Sequence, residues 1–199
     1  LRGSRGSVGT WEGCLIFNRG PDNLQALVSQ TDTPAEPADH LTELRFADLP
    51  LTPELKLGIA EAGFTQCTPI QSKALPLALE GQDVAGQAQT GTGKTAAYLI
   101  ALYQHLQTTE PIRTSEQGPR ALVLAPTREL AVQIHADAEV LGKHLPYRLG
   151  IAFGGTDYEK QRSYLAEGVD VLIGTPGRII DYFKQRVFGF RGTQVLELD

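Results

Sequence analysis

From Arg45 onward the chain alternates between two hydrophobic rhythms. Short apolar runs of strand length occur at Asp83–Ala88, Ala121–Ala125, Leu149–Phe153, Val169–Gly174 and Val195–Leu198. Longer stretches with apolar residues at three- and four-residue spacing separate them, at Gly93–Leu106, Thr127–Leu141, Asp157–Glu167 and Pro176–Arg186. Two helices precede the first run. Thr52-Pro53-Glu54 opens one with a capping hydroxyl and a proline, and Gly63 closes it. Thr68-Pro69-Ile70-Gln71 opens the other. Regular strand–helix alternation predicts an α/β domain, with a parallel sheet, right-handed crossovers and helices on both faces. Sheets of this kind bind ligands at the carboxyl ends of their strands, so chemistry is expected in the strand-to-helix loops.

Residues 1–44 lack either rhythm. Leu1–Gly13 is rich in Gly, Ser and Arg, and Thr31–Asp39 mixes Thr, Pro and Ala with acids. This stretch is expected to be a disordered leader or a non-native extension, with the ordered domain spanning 45–199. The chain has no methionine and stops at Asp199 beside a strand-like run, which reads as a fragment. No internal repeat is evident.

With 199 residues, 41% of them hydrophobic, there is enough apolar material for one domain core. A net charge of -5 argues against a strongly basic nucleic-acid coat, but not against RNA binding through backbone amides. Cys14 and Cys67 form no CxxC pair and read as free thiols of a reducing cytosol. No apolar run approaches the roughly 18–20 residues that span a bilayer, so no membrane span is expected; a cytoplasmic location and a monomer are further expectations. His135 and His144, read on a helix, have no metal-like partner set and read as structural or solvent-facing.

The first strand runs into Ala88-Gln89-Thr90-Gly91-Thr92-Gly93-Lys94-Thr95 and then an apolar helix. This is the phosphate-loop pattern, with alanine at its first position. Gly91 and Gly93 let the backbone turn tightly and aim N–H groups at a phosphate. Lys94 can reach the β- and γ-phosphates, and the Thr95 hydroxyl can ligate Mg²⁺. A plain glycine turn is the alternative, but strand, loop, Lys-Thr and helix occur in order. By itself the loop indicates a nucleoside triphosphate, with Mg²⁺ as its metal.

Gln71 admits two readings. It sits three residues after Thr68, where a capping box would use its side chain on the Thr68 amide. Its amide also offers the paired donor and acceptor that match an adenine edge. Phe46 is either a core aromatic or a stacking platform.

Three further loops follow strands: Pro126-Thr127-Arg128-Glu129-Leu130-Ala131, Gly154-Gly155 and Thr175-Pro176-Gly177-Arg178. Each presents free N–H groups at a helix start, and two add a hydroxyl and an arginine. Such sites suit sugar–phosphate backbone without base specificity. Singly, the threonines read as caps, the glycines as a turn and Arg178 as a solvated side chain.

Taken in order, Gly63-Phe64-Thr65-Gln66-Cys67-Thr68-Pro69-Ile70-Gln71, the phosphate loop, PTRELA, GG and TPGR resemble the motifs of DEAD-box RNA helicases, over about Arg45–Asp199. Phe46 lies 17 residues before Gly63, where that family places an isolated aromatic. The resemblance implies a RecA-like ATP-binding domain. It implies that Gln71 contacts adenine with Phe46 packed against it. It assigns RNA contacts to Thr127, Arg128, Gly154, Gly155, Thr175, Gly177 and Arg178, with Glu129 orienting its neighbours. It makes Asp199 the first residue of the Asp-Glu-Ala-Asp motif, holding Mg²⁺ with Thr95, so that Lys94, Thr95 and Asp199 serve catalysis. The glutamate that activates water, and a second lobe with arginine fingers, would follow beyond residue 199. Asp83–Ala88, Glu129–Glu139 and Leu172–Thr175 resemble a bacterial branch associated with RNA degradation. RNA is therefore the expected partner, with degradation machinery contacting the absent lobe.

Glu197 departs from the pattern, since an apolar residue is expected inside a central strand. A buried, unpaired carboxylate costs several kcal/mol or stays protonated. Two rival readings remain: a nucleotide-binding lobe without turnover, and a different P-loop enzyme such as a DNA translocase or small-molecule kinase. The Gly63–Gln71 segment, PTRELA and TPGR argue against the second.

Overall fold

The structure, a computed structural model, describes residues 41–89 and 91–199, together with the strands Cys14–Asn18 (β1) and Ala26–Ser29 (β2). The remaining strands are Val84–Gln87 (β3), Ala121–Leu124 (β4), Leu149–Ala152 (β5), Val171–Gly174 (β6) and Val195–Leu198 (β7). The helices are Pro53–Glu61 (α1), Pro69–Leu79 (α2), Lys94–Thr108 (α3), Arg128–Leu141 (α4), Tyr158–Ala166 (α5) and Pro176–Lys184 (α6). Every helix and strand expected from Arg45 onward is present, with ends shifted by one or two residues. His144 lies just past the end of α4 rather than on the helix, because Gly142 caps it.

The sheet order is β2-β3-β1-β7-β4-β6-β5. Parallel pairs join β4 to β6 and β7, β5 to β6, and β2 to β3. The α/β class with a mostly parallel sheet is as expected. β1 differs: it pairs antiparallel with both β3 and β7, and so keeps those two strands codirectional. Neither β1 nor β2 was expected, because both fall in the segment read as a pattern-free leader. The other residues before Leu41 lie outside the described residues. Among the described residues, no helix is long and apolar enough to cross a membrane.

Strand alternation sorts side chains onto two faces. Ala121, Val123, Val171, Ile173 and Val195 enter the larger core with residues of α1 to α4. Leu122, Leu172 and Ala152 enter a smaller core with Leu165 of α5 and Ile179 and Tyr182 of α6. Helices therefore cover both faces. α3 is buried on nearly every side, which explains why its sequence is apolar almost throughout.

A short ladder pins the segment leading into α2. Thr42 N–H donates to the Cys67 carbonyl at 2.8 Å, Cys67 N–H to Leu44 at 2.8 Å, and Phe46 N–H to Thr65 at 3.2 Å. The ladder ties residues 42–46 to residues 65–67. Cys67 is fully buried, and burial pushes its thiol up to about 11. Alkylation of Cys67 by a maleimide at pH 7.5 is therefore expected to be at least about tenfold slower than that of a free peptide thiol. A mass-resolved labelling time course measures it. Cys14 is a residue whose side chain is not described.

Candidate functional site

Every parallel strand delivers its carboxyl end to one edge of the sheet. The loops after β3, β4, β5, β6 and β7 carry the motifs singled out above. β3 and β7 sit toward one end of that edge, and β4, β6 and β5 follow in order toward the other. The phosphate loop and Asp199 are thus grouped apart from the arginine-bearing loops, on a single rim.

Two left-handed glycines shape the phosphate loop: Gly91 at φ 79° and Gly93 at φ 89°. At Gly91 no atom opposes an added Cβ. At Gly93 a Cβ would run into the side-chain amide of Gln71. Gly93→Ala therefore meets both a backbone penalty of about 1–2 kcal/mol and a steric clash with Gln71. Nucleotide affinity is expected to fall by at least about tenfold, as read by displacement of a fluorescent ADP analogue.

Lys94 is 8% exposed and opens α3. Its ammonium donates to the carbonyls of Ala88 and Gln89, the latter at 2.9 Å. Thr92 hydroxyl donates to the Gln89 carbonyl at 2.8 Å. The loop is closed on its own carbonyls, with a cation held where phosphate oxygens would arrive. Thr90 lies outside the described residues.

Gln71 is 1% exposed and fills the capping role. Its Oε1 accepts from Thr68 N–H at 2.9 Å, one of the two bonds of a complete capping box, the other running from the Gln71 backbone N–H to the Thr68 side chain. Its Nε2 donates to the Gly93 carbonyl at 3.0 Å, while Thr68 hydroxyl donates to the Thr92 carbonyl at 2.8 Å. Thr68 and Gln71 therefore tie the start of α2 to the phosphate loop. One N–H and one lone pair of the Gln71 amide remain for another partner. Phe46 is 2% exposed in the larger core, its ring 6.1 Å from that of Phe64.

Asp199 N–H donates to the Leu124 carbonyl at 3.0 Å, which continues the β4–β7 ladder. Its carboxylate accepts from the Tyr98 hydroxyl at 3.0 Å. Burial first, then the Asp199 charge and that hydrogen bond, push the Tyr98 phenol far up, opposed by a hydrogen bond with Thr95. Tyr98 thereby connects Thr95 to Asp199. Sequence reasoning missed it, although Tyr98 lies three residues after Thr95 and four after Lys94, on the same face of α3. A threonine hydroxyl and a carboxylate are hard oxygen donors and fit a Mg²⁺ ion that keeps waters and nucleotide phosphates as its other ligands. Among the described residues no group of three or more His, Cys, Asp and Glu could hold a metal by itself.

Glu197 is 0% exposed, and among the described residues neither carboxylate oxygen has a hydrogen-bond partner. It points to the same face as Val195 and lies level with Val123 in the ladder. Burial, with the charge of Asp199 added, raises its pKa well above 4.5. A partner facing Glu197, one of the ways its place in a central strand could be accommodated, is not found among the described residues.

At the other end of the rim, Thr127 caps α4 by accepting from Leu130 N–H at 3.2 Å. Thr175 stands at the start of α6 but makes no side-chain cap bond, so its hydroxyl is not committed to the helix. Glu129, Gly154, Gly155 and Gly177 are all exposed, and Gly155 is left-handed at φ 82°. Arg128 and Arg178 are not freely solvated: each guanidinium lies over an aromatic ring. Two cavities among the described residues, of about 390 and 650 Å³, include no residue of the phosphate loop or of these strand-end loops.

A phosphate loop with Lys-Thr at the head of a buried helix, and an acid at the end of a parallel strand two places away, define a RecA-like nucleotide-binding domain. Residues 68–199 match the DEAD/DEAH box helicase family model, and the chain belongs to that family. It is 54% identical over 160 residues to the ATP-dependent RNA helicase RhlB of Pseudoalteromonas atlantica, and 55% identical over 161 residues to that of Shewanella amazonensis. Each match covers 80% of this chain but only 38% and 37% of those relatives. A crystal structure of a DEAD box protein from Methanococcus jannaschii superimposes with a TM-score of 0.64 at 30% identity, covering 75% of this chain and 39% of that one.

Proposed function

We propose that this chain is the ATP-binding lobe of an ATP-dependent RNA helicase. The observation that carries the reading is the single rim: Lys94, Thr95 and Asp199 gather at one end of it, and Thr127, Arg128, Gly154, Gly155, Thr175, Gly177 and Arg178 at the other. Lys94 exchanges its two loop carbonyls for the β- and γ-phosphates of ATP, and the amides at the start of α3 complete their cradle. The free N–H and lone pair of Gln71 read the adenine edge, and Phe46 backs that end of the site from the core. Thr95 and Asp199 hold Mg²⁺, which neutralises phosphate charge when bound. The arginine-bearing loops hold an RNA backbone, with the 2′-hydroxyl separating RNA from DNA.

A second lobe, outside this chain, would close on ATP and RNA and bend one strand until a short duplex separates. The relatives are ATP-dependent RNA helicases by name, and the resemblance of Asp83–Ala88, Glu129–Glu139 and Leu172–Thr175 to a bacterial branch associated with RNA degradation points to a role in RNA turnover in the cytoplasm. The protein would act there as a monomer, with its partners on the second lobe. The test is ATP hydrolysis by the full-length protein with and without single-stranded RNA. Stimulation by RNA, but not by a DNA strand of the same sequence, is expected. Hydrolysis indifferent to RNA, or phosphate transfer to a metabolite, would overturn the reading.

A further inference from the structure

The two arginines on the RNA end of the rim are each laid on an aromatic ring, and both rings come from one short segment. The Arg128 guanidinium lies 4.9 Å from the centroid of Phe153, and that of Arg178 lies 4.9 Å from Tyr158. Phe153 immediately precedes Gly154-Gly155, and Tyr158 begins α5 just after them. Tyr182, one turn along α6 from Arg178, adds a second ring at 5.4 Å and accepts from Arg178 Nη1 at 3.2 Å. The Tyr182 hydroxyl in turn lies 3.1 Å from the Tyr158 carbonyl and 3.0 Å from Gln161 Oε1.

Building on the RNA reading above, we propose that the Phe153–Tyr158 segment is a spacer clip that holds Arg128 and Arg178 at a fixed separation, so that both engage one RNA backbone. Phe153 and Tyr158 are then positioning residues, with Tyr182 completing the seat of Arg178. A guanidinium lying against a ring keeps N–H groups at its edge free for phosphate while losing fewer rotamers on binding. The glycine pair lies against Arg128: no atom opposes a Cβ at Gly154, whereas one at Gly155 would sit 3.3 Å from Arg128 Nη1. Both rings are also anchored by packing, Phe153 at 7% exposure in the larger core and Tyr158 against the smaller core with its centroid 5.0 Å from that of Tyr182, so each is a rigid seat. The Tyr158 hydroxyl is buried without a partner, so the ring face, not the hydroxyl, is what the position uses.

The test is fluorescence anisotropy of a labelled oligouridylate against the 199-residue chain, across a salt series. Tyr158→Leu is expected to weaken binding about two- to fivefold, the scale of one lost cation–π contact. Tyr158→Phe keeps the ring and is expected to bind as the wild type does. Arg178→Ala is expected to lower the salt slope by about one phosphate contact, and Tyr158→Leu added to it is expected to change nothing further. An equal loss from Tyr158→Leu in both backgrounds, or no loss while the wild type binds, would overturn the clip and leave the RNA reading standing. No wild-type binding at the lowest salt would remove the RNA reading and the clip together. Thermal unfolding accompanies each variant. If Tyr158→Leu does not fold, the corresponding cycle of Phe153→Leu with Arg128→Ala decides by the same criteria.

Discussion

Glu197→Leu is expected to stabilise the chain by about 2–4 kcal/mol at pH 7, on the scale of relieving an uncompensated buried charge. For a domain of this size that corresponds to a rise in Tm of about 5–15 °C. The carboxylate has no exposure and, among the described residues, no hydrogen bond, and Asp199 lies two residues away at the end of the same strand. The pH dependence follows from the same facts. The folded pKa is raised above 4.5, so the folded state binds the proton more tightly than the unfolded one. The stability that comes from the protonated acid is fully present below about pH 4.5 and is lost as pH rises through the folded pKa. Over that window the slope is at most about 1.4 kcal/mol per pH unit. Glu197→Leu removes the slope as well as the cost. Glu197→Gln removes the slope but keeps an unpaired buried amide, so its Tm is expected to fall between the two. Urea unfolding at several pH values measures all three. An unchanged midpoint for Glu197→Leu would mean that the carboxylate has a partner in solution.

Lys94→Ala is expected to weaken Mg–ADP binding by about 30- to 1,000-fold, equivalent to one or two charged hydrogen bonds to phosphate. The side chain is already confined: it is 8% exposed and engaged with the Ala88 and Gln89 carbonyls. The loop therefore brings its cation to the phosphate position at little further entropic cost. Removing Lys94 also leaves those two carbonyls to water. Some loss of loop order is expected, with the global Tm nearly unchanged because the loop lies at the rim rather than in either core. Calorimetric titration of both proteins measures the ratio. Equal affinities would show that nucleotide binds elsewhere.

Much of the fold was legible because its signals are local. Short apolar runs, Thr-Pro helix starts and closing glycines placed the strands and helices after Arg45 to within a residue or two. β1 and β2 were not legible, since their regularity lies in pairing with β3 and β7 rather than in any rhythm of their own. The phosphate loop was legible for the same local reason. Glu197 was too, because a carboxylate among valine and leucine conflicts with its own strand. Tyr98 was invisible, because the residue that gives it meaning, Asp199, is 101 positions away. The seats of Arg128 and Arg178 were invisible as well. Sequence offered only solvated side chains or phosphate ligands, whereas the fold brings rings from the single β5–α5 segment beneath both. Gln71 shows how an apparent choice between cap and ligand can dissolve: its amide has enough donors and acceptors to cap α2, brace Gly93 and still keep one of each.

Hydrogen–deuterium exchange on the chain, with Mg–ADP and with oligouridylate in turn, tests most directly whether one rim carries two separate ligand sites. The account predicts that Mg–ADP slows exchange in residues 68–71 and 88–95. Oligouridylate is predicted to slow it in residues 127–131, 154–158 and 175–178. Protection by both ligands confined to the same peptides, or protection lying instead around the cavity between Tyr103, His135 and Tyr164, would contradict it.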